Sequence, residues 1–252
     1  MQFAKVAALE EAFLKREIDK TVSPQDHMFN TGPDWYFSVG VDAIRVIFRA
    51  LAMSSLGDVR RILDLPCGHG RVARHLRAAF PRAAITFADI ETDGVDFCTQ
   101  QFGGTGIYSR PDLATVELGT GFDLIWIGSL FTHVDRSRAE AWLCHLSRLL
   151  SPRGILIATI HGNWSKEVQR SHGAMIGEVE WAEILAGYEA TGWGYARYPG
   201  PDDYGVSLCR ASTVIEMASR AQATRILSYN ERGWAGNHDV LMIENRDRME
   251  KF

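Results

Sequence analysis

Asp64 closes a short apolar run four residues before Gly68, which opens a Gly68-His69-Gly70 turn. Glycine at both outer positions lets the backbone approach a ligand with no Cβ in the way. Gly68-His69-Gly70-Arg71-Val72-Ala73 also fits G-x-G-x-x-[GA], a pattern that seats a pyrophosphate on a helix N-terminus. A carboxylate at the rim of that turn repels a pyrophosphate and attracts a ligand carrying an ammonium and a sulfonium. S-adenosylmethionine (SAM) has both charges and no phosphate, so Asp64 favours SAM over NAD(P). A second acid, Asp89, lies 19 residues beyond Gly70, where a carboxylate meets a ribose diol in βαβ nucleotide sites. Its other role is a helix cap. NAD would use the same acid, so Asp89 does not discriminate. Ile90, the next residue, offers an apolar surface to an adenine ring.

Moving a methyl group from a sulfonium is an in-line displacement that needs alignment, exclusion of water and, for a hydroxyl or amine acceptor, removal of a proton. Histidine is the side chain matched to that proton at neutral pH. Of eight histidines, three follow predicted strands: His133, His161 and His238. His133 is the first choice for a base or acceptor-orienting role, with a loop-bracing hydrogen bond as its alternative. Asp239 is a candidate orienter for His238. His69 sits inside the turn and is assigned to cofactor or backbone, while His75 and His145 fall in helices. The three histidines lack metal-ligand spacing such as H-x-x-x-H, so no metal is expected, and no G-x-S-x-G elbow marks a nucleophile.

The elements that must position these groups are legible. Residues 62–65 have strand length, and Val72, Leu76 and Ala79 share a helical face that Pro81 ends. Residues 84–89 read as a second strand, followed by a helix over 91–101. Residues 106–108 make a weak third strand, and 122–128 a continuously apolar fourth, as the buried middle of a parallel sheet requires. Gly128 and Ser129 lead into the loop that carries His133. Ser137 with Glu140 reads as a capping box for a helix that 152–154 ends. A fifth strand spans 154–160. A helix over 212–223 precedes two strands, 225–230 and 239–243. Residues 1–20 form an amphipathic helix, packed on the body, on a homodimer partner or over the substrate, and 35–54 form another.

The chain of 252 residues is 46% hydrophobic, enough for one α/β domain with a large core. A net charge of −4 leaves no basic footprint for nucleic acid. Cys67, Cys98, Cys144 and Cys209 form no C-x-x-C pair and read as reduced thiols of a cytoplasmic protein. No apolar run is long enough to span a membrane, and the charged N-terminus does not read as a signal peptide.

Leu63-Asp64-Leu65-Pro66-Cys67-Gly68-His69-Gly70 resembles the first motif of the class I SAM-dependent methyltransferases, with Pro66 where the family often has the first of three glycines. Leu149-Leu150-Ser151-Pro152-Arg153-Gly154 followed by a strand resembles a late motif of the same family. The resemblance covers roughly residues 35–160 and 222–245. It implies a seven-stranded, mostly parallel, doubly wound sheet whose last strand is antiparallel and inserts beside the fifth. To this are added an N-terminal helical extension (1–55) and an aromatic-rich insertion (162–212), around a cofactor core at 56–161 and a closing helix and strand pair at 213–252. The insertion is either a substrate wall or an aromatic hairpin packing on itself. The resemblance places SAM against Asp64, Pro66, Cys67, Gly68, His69, Gly70, Asp89 and Ile90, with Ser109 near the adenine and Gly128 and Ser129 beside the cofactor. It also puts residues 36–40 of the preceding helix near that site. The expected function is methyl transfer to a small-molecule or glycan-like acceptor, O-methylation being favoured over N-methylation. An NAD(P)-dependent oxidoreductase and a non-catalytic SAM-binding module are the alternatives.

Overall fold

The computed structural model describes residues 2–172, 176–199, 204–221 and 223–246. Helices α1 (Gln2–Leu14) and α2 (Pro33–Met53) precede strand β1 (Arg61–Asp64). Then follow α3 (Ala73–Ala79), β2 (Ala84–Asp89), α4 (Thr92–Phe102), β3 (Thr105–Tyr108), β4 (Phe122–Ile127), α5 (Arg136–Ser147) and β5 (Leu150–Ile160). Residues 162–212 contain α6 (Asn163–His172), α7 (Glu178–Thr191) and the strands β6 (Trp193–Arg197) and β7 (Gly205–Cys209). Helix α8 (Ala211–Arg220) and strands β8 (Thr224–Trp234) and β9 (His238–Asn245) complete the described chain.

One sheet has seven strands in the order β3-β2-β1-β4-β5-β9-β8, and β6 and β7 form a separate antiparallel pair. The strands β1 to β5 pair in parallel. Strand β9 runs antiparallel to β5, in the register Ile155↔Glu244 to Ile160↔Asp239, and antiparallel to β8. The strand order reverses between β1 and β4, the switch point outside which open α/β sheets bind ligands.

Successive strand residues serve opposite faces. Ile62, Leu124, Trp126, Ile155, Ile157 and Val240 pack with α2 and α3 on one side. Leu63, Ile125, Ile127, Leu156, Ala158 and Leu241 pack with α5 and α8 on the other. Because both faces are covered, β4 is apolar without a break from Leu124 to Ile127.

Three local expectations are corrected. The N-cap of α5 is Asp135, whose Oδ1 accepts from the Arg138 amide at 3.0 Å, not Ser137; a carboxylate two residues earlier takes the free amide first. Strand β5 begins at Leu150, because 151–154 form an irregularity in the pairing with β4, with Arg153 at φ 65°. Helix α1 is not a substrate cover. It packs by Phe13 on Phe48 (6.0 Å between ring centroids) and by Gln2 Nε2 on the carbonyls of Leu51 and Leu56, flanking a groove of about 770 Å³ beside residues 57–60 and 80–83. Those residues precede β1 and β2, so the groove lies at the sheet edge opposite Asp64 and Asp89. No helix among the described residues is long and apolar enough to cross a membrane.

Candidate active site

The ladder of β1 continues through the Leu65 amide to the Trp126 carbonyl (3.0 Å), and the chain then turns through a cis Leu65–Pro66 peptide. The Cys67 amide donates to Ala88 O (3.0 Å) and the Gly70 amide to Cys67 O (3.1 Å), which closes the turn. Gly68 (φ +49°) faces open space on its Cβ side, whereas a Cβ on Gly70 (φ +87°) would lie 2.4 Å from the Phe102 ring. The first glycine leaves room for a ligand; the second lets α4 pack. Gly94 does the same from the other side, since a Cβ there would meet Gly68 O at 2.5 Å.

A buried guanidinium braces the turn from behind. Arg74 is 1% exposed; its Nε donates to Gly70 O (2.9 Å) and its Nη1 to Asp19 O and Thr21 O (2.9 and 2.7 Å). Its Nη2 donates to Tyr36 Oη (3.2 Å), which itself donates to Asp26 Oδ2 (2.6 Å). Tyr36 is fully buried in this network, so residues 36–40 lie behind the turn, with Gly40 backed onto Arg71 O and His75. His75 bonds Arg71 O through Nδ1 (3.0 Å) and stays inside the helix packing.

The acids line the front. Asp64 is 1% exposed, and neither carboxylate oxygen has a hydrogen-bond partner. Burial, and then the Asp89 charge, push its pKa well above the usual carboxylate range. An unpartnered buried carboxylate is costly unless a ligand supplies the missing donor or charge. Asp89 accepts from the Gly68 amide at Oδ2 (2.7 Å) and the Glu91 amide at Oδ1 (3.0 Å), keeping further lone-pair capacity on both oxygens. Burial raises its pKa against those two bonds. The cap position of α4 falls to Glu91, so Asp89 is not its cap. His69 Nε2 lies 3.0 Å from Asp93 Oδ2, turned toward α4. The Cys67 thiol is pushed up by a hydrogen bond with Cys98 and by burial, the reverse of an activated nucleophile. Ile90 is 56% exposed beside these acids, and the Ser109 amide donates to Asp89 O (2.7 Å).

At the ends of β4 and β5, a Cβ on Gly128 would meet Trp126 Nε1 at 2.7 Å. The Ser129 amide (φ 61°) donates to Thr159 Oγ1 (2.7 Å), and Ser129 Oγ lies 3.2 Å from Thr132 Oγ1. Ser129 thus tethers the loop to β5. The structure brings the three predicted histidines into one row. His133 and His161 have ring centroids 6.3 Å apart, and His161 and His238 4.9 Å. His133 Nδ1 donates to Gly205 O (2.8 Å) and His161 Nδ1 to Ser207 O (3.2 Å), both carbonyls of β7. A carbonyl only accepts, so Nδ1 carries the proton and Nε2 the lone pair in each neutral ring. Burial holds His133 below its ordinary value, and holds His161, with His133 adding, at about 4. His238 lies well below its ordinary value through burial, then His161 and His133, and its Nδ1 is buried with no partner. All three rings are neutral at pH 7. Asp239 does not orient His238: it accepts from Tyr229 Oη (2.6 Å) and the Arg232 amide (3.0 Å). Among the described residues no group of three or more His, Cys, Asp and Glu side chains is disposed to hold a metal ion.

Several residues of this cleft carry no signal of their own in the sequence. Tyr204 stacks on His133 (4.4 Å between centroids, 20° between planes), and Tyr198 lies 5.9 Å from Tyr204. Burial, then Tyr198, Asp89 and Glu91, raise the Tyr204 phenol. The hairpin of β6 and β7 packs through Ala196, Val206 and Leu208 on Ile184 and Tyr188 of α7, and its β7 carbonyls hold His133 and His161. Residues 200–203, between β6 and β7, lie outside the described residues. The Arg71 guanidinium lies over Trp234 (5.9 Å), and Trp234 against His238 (5.1 Å). Arg71 follows Gly70 directly, and that adjacency was the one available signal.

Residues 63–156 match the family model described as a methyltransferase domain. A SAM-dependent methyltransferase from Clostridium acetobutylicum superposes with a TM-score of 0.58 at 13% identity, over 88% of this chain and 96% of that one. The N-methyltransferase NodS from Bradyrhizobium japonicum, in complex with S-adenosylhomocysteine (SAH), gives 0.54 at 12% identity, over 98% and 100%. These two are likenesses of fold. In sequence, the fatty-acid O-methyltransferase of Mycolicibacterium smegmatis is 25% identical over 119 residues. That match covers 45% of this chain and 41% of the relative, so the chain spans less than half of the curated relative's length. Motif, strand order and family match converge: residues 63–156 form a methyltransferase domain, on the fold that SAM-dependent methyltransferases share.

Proposed function

We propose that the chain methylates a hydroxyl oxygen of a small-molecule or glycan-like acceptor, with His133 as general base. The observation that carries this is one sheet edge holding both an unpartnered buried carboxylate, Asp64, and imidazoles whose protonated nitrogens are tied to β7. The donor set fits SAM: Asp64 suits its ammonium, Arg71 its carboxylate, Asp89 its ribose hydroxyls, and Ile90 and Ser109 its adenine. Gly68, with Pro66, Cys67, His69 and Gly70 shaping the turn, leaves the room. When bound, SAM supplies a methyl carbon made electrophilic by a sulfonium.

The protein's own groups do the rest. The β4 loop, held by Ser129 and Thr159, presents His133 beside the cofactor end of the cleft. Its Nε2 takes the hydroxyl proton as the oxygen–carbon bond forms and the carbon–sulfur bond breaks, the electron pair staying on sulfur. His133 is the better base of the row because His161 is depressed further, to about 4. Tyr204 covers the imidazole and shields the reacting atoms from water.

Titration calorimetry with SAM and with NAD, followed by mass-spectrometric scoring of methyl transfer to a panel of hydroxyl, amine and carboxylate compounds, tests the proposal. SAM binding and a methyl ether product are expected, with turnover lost in His133→Ala and SAM affinity retained. NAD binding in place of SAM, or an N-methyl product, overturns it.

A further inference from the structure

The acceptor side of the cleft is one-sided in its hydrogen bonding. His133 and His161 both spend their N–H on β7 carbonyls, and neither Nε2 meets a protein partner among the described residues. Two lone pairs therefore remain on rings 6.3 Å apart, and among the described residues no donor is bonded to them. Among the described residues no charged side chain hydrogen-bonds or pairs with His133 or His161. The nearest acid to His238, Asp239, is engaged by Tyr229 and the Arg232 amide. Above the row, Tyr204 keeps 42% of its surface exposed, with Tyr198 beside it.

A carboxylate acceptor brought here would set its oxygens against imidazole lone pairs to which no cation is bonded among the described residues. A ligand bearing two hydroxyl donors on a flat or CH-rich ring complements the row, with the ring laid on tyrosine. Resting on the methyl-transfer assignment above, we infer that the acceptor is an uncharged ring with two neighbouring hydroxyl groups, one anchored on His161 Nε2 and the other, on His133 Nε2, methylated. A sugar diol and a polyphenol share this chemistry. The inference departs from the fatty-acid substrate named for the Mycolicibacterium smegmatis relative.

The test uses the full chain saturated with SAH, whose binding is measured first by calorimetry; failure there sinks the methyltransferase assignment itself. Saturation-transfer NMR then compares methyl β-glucopyranoside and catechol with their analogues lacking one of the two neighbouring hydroxyls, and with octanoate. At least one dihydroxy probe is expected to bind, its monohydroxy analogue about tenfold more weakly, and octanoate not at all. His161→Phe should weaken the dihydroxy probe about tenfold and leave SAH affinity unchanged. Nitrogen-15 imidazole spectra at pH 7 should show Nδ1 protonated and Nε2 bare in both His133 and His161. Octanoate binding as well as the diols, no dihydroxy probe binding, or an Nε2–H tautomer at either ring would each overturn the inference.

Discussion

The C-terminal edge of the sheet has two halves of opposite chemistry. Around β1 and β2 it carries Asp64 and Asp89, buried, with Glu91 and Asp93 beside them. Around β4, β5 and β9 it carries three neutral imidazoles and, among the described residues, no unengaged acid beside them. Burial acts on both halves and penalises the charged form of each, so it raises the carboxylates and lowers the histidines. The outcomes differ because of what each half is built to receive. On the proposed function, the first leaves a carboxylate unsatisfied until a cation arrives, and the second keeps a base unprotonated until a hydroxyl arrives.

The sharpest way to break this contrast is to cut the brace behind the first half. Arg74→Met removes a guanidinium that bonds three carbonyls and a phenol, leaving buried acceptors unpaired. A loss of about 3–5 kcal/mol in denaturant unfolding is expected, together with weakened SAM binding, because the turn is no longer tied to the N-terminal segment. An unfolding free energy within about 1 kcal/mol of wild type would show that the brace is idle.

In the second half, His133→Ala should lower kcat by about 10²–10⁴ with SAM affinity intact, as expected for a general base. With Asp64→Asn the two measurements should move in opposite directions. SAM affinity should fall about a hundredfold, since the buried ammonium loses its counter-charge, while the free protein gains stability at neutral pH. The folded state holds the Asp64 proton above the unfolded pKa, so ionisation destabilises the fold as pH rises from about 4 through the raised value. Asparagine removes that loss, and melts with calorimetry across pH 4–8 report both effects. A destabilised Asp64→Asn would mean that the carboxylate has a partner in solution.

The histidine half has the opposite linkage. Its pKa values are lowered in the fold, so its stability contribution is present above the unfolded value near 6.5 and is lost as pH falls toward about 4. His161→Phe should flatten the acid side of the stability profile, and the acid limb of kcat should lie below pH 6.5. A limb at or above 6.5 would place a protonated, exposed histidine in the reaction. The smallest effect is expected for Tyr204→Ala, a three- to tenfold rise in acceptor KM with kcat nearly unchanged, in line with the worth of an aromatic contact.

Much of this was legible without coordinates, for reasons that are local. An apolar run ending in an acid, two glycines and a helical stripe fixes a strand, a turn and a helix within about 20 residues, which located Asp64, Gly68 and Gly70. Asp89 followed from the length of one βα unit. The capping residue of α5 was misplaced because Asp135 and Ser137 both satisfy the cap rule, and only backbone geometry chooses between them. The start of β5 was missed because an irregular stretch containing Pro152 and Gly154 reads as a loop.

Chain order alone thus determined the make-up of the turn from Asp64 to Gly70, since those residues lie close in sequence and their spacing is set by backbone periodicity. Only the tertiary structure decided which histidine nitrogen faces the cleft. Gly205 O and Ser207 O come from a hairpin 72 and 46 residues away from the rings they bind. Nor does any sequence spacing reveal that Asp64 has no partner, that Asp239 is already engaged, or that Tyr204 lies on His133. Hydrogen-bond satisfaction is a property of the packed interior, where partners are chosen by proximity in space.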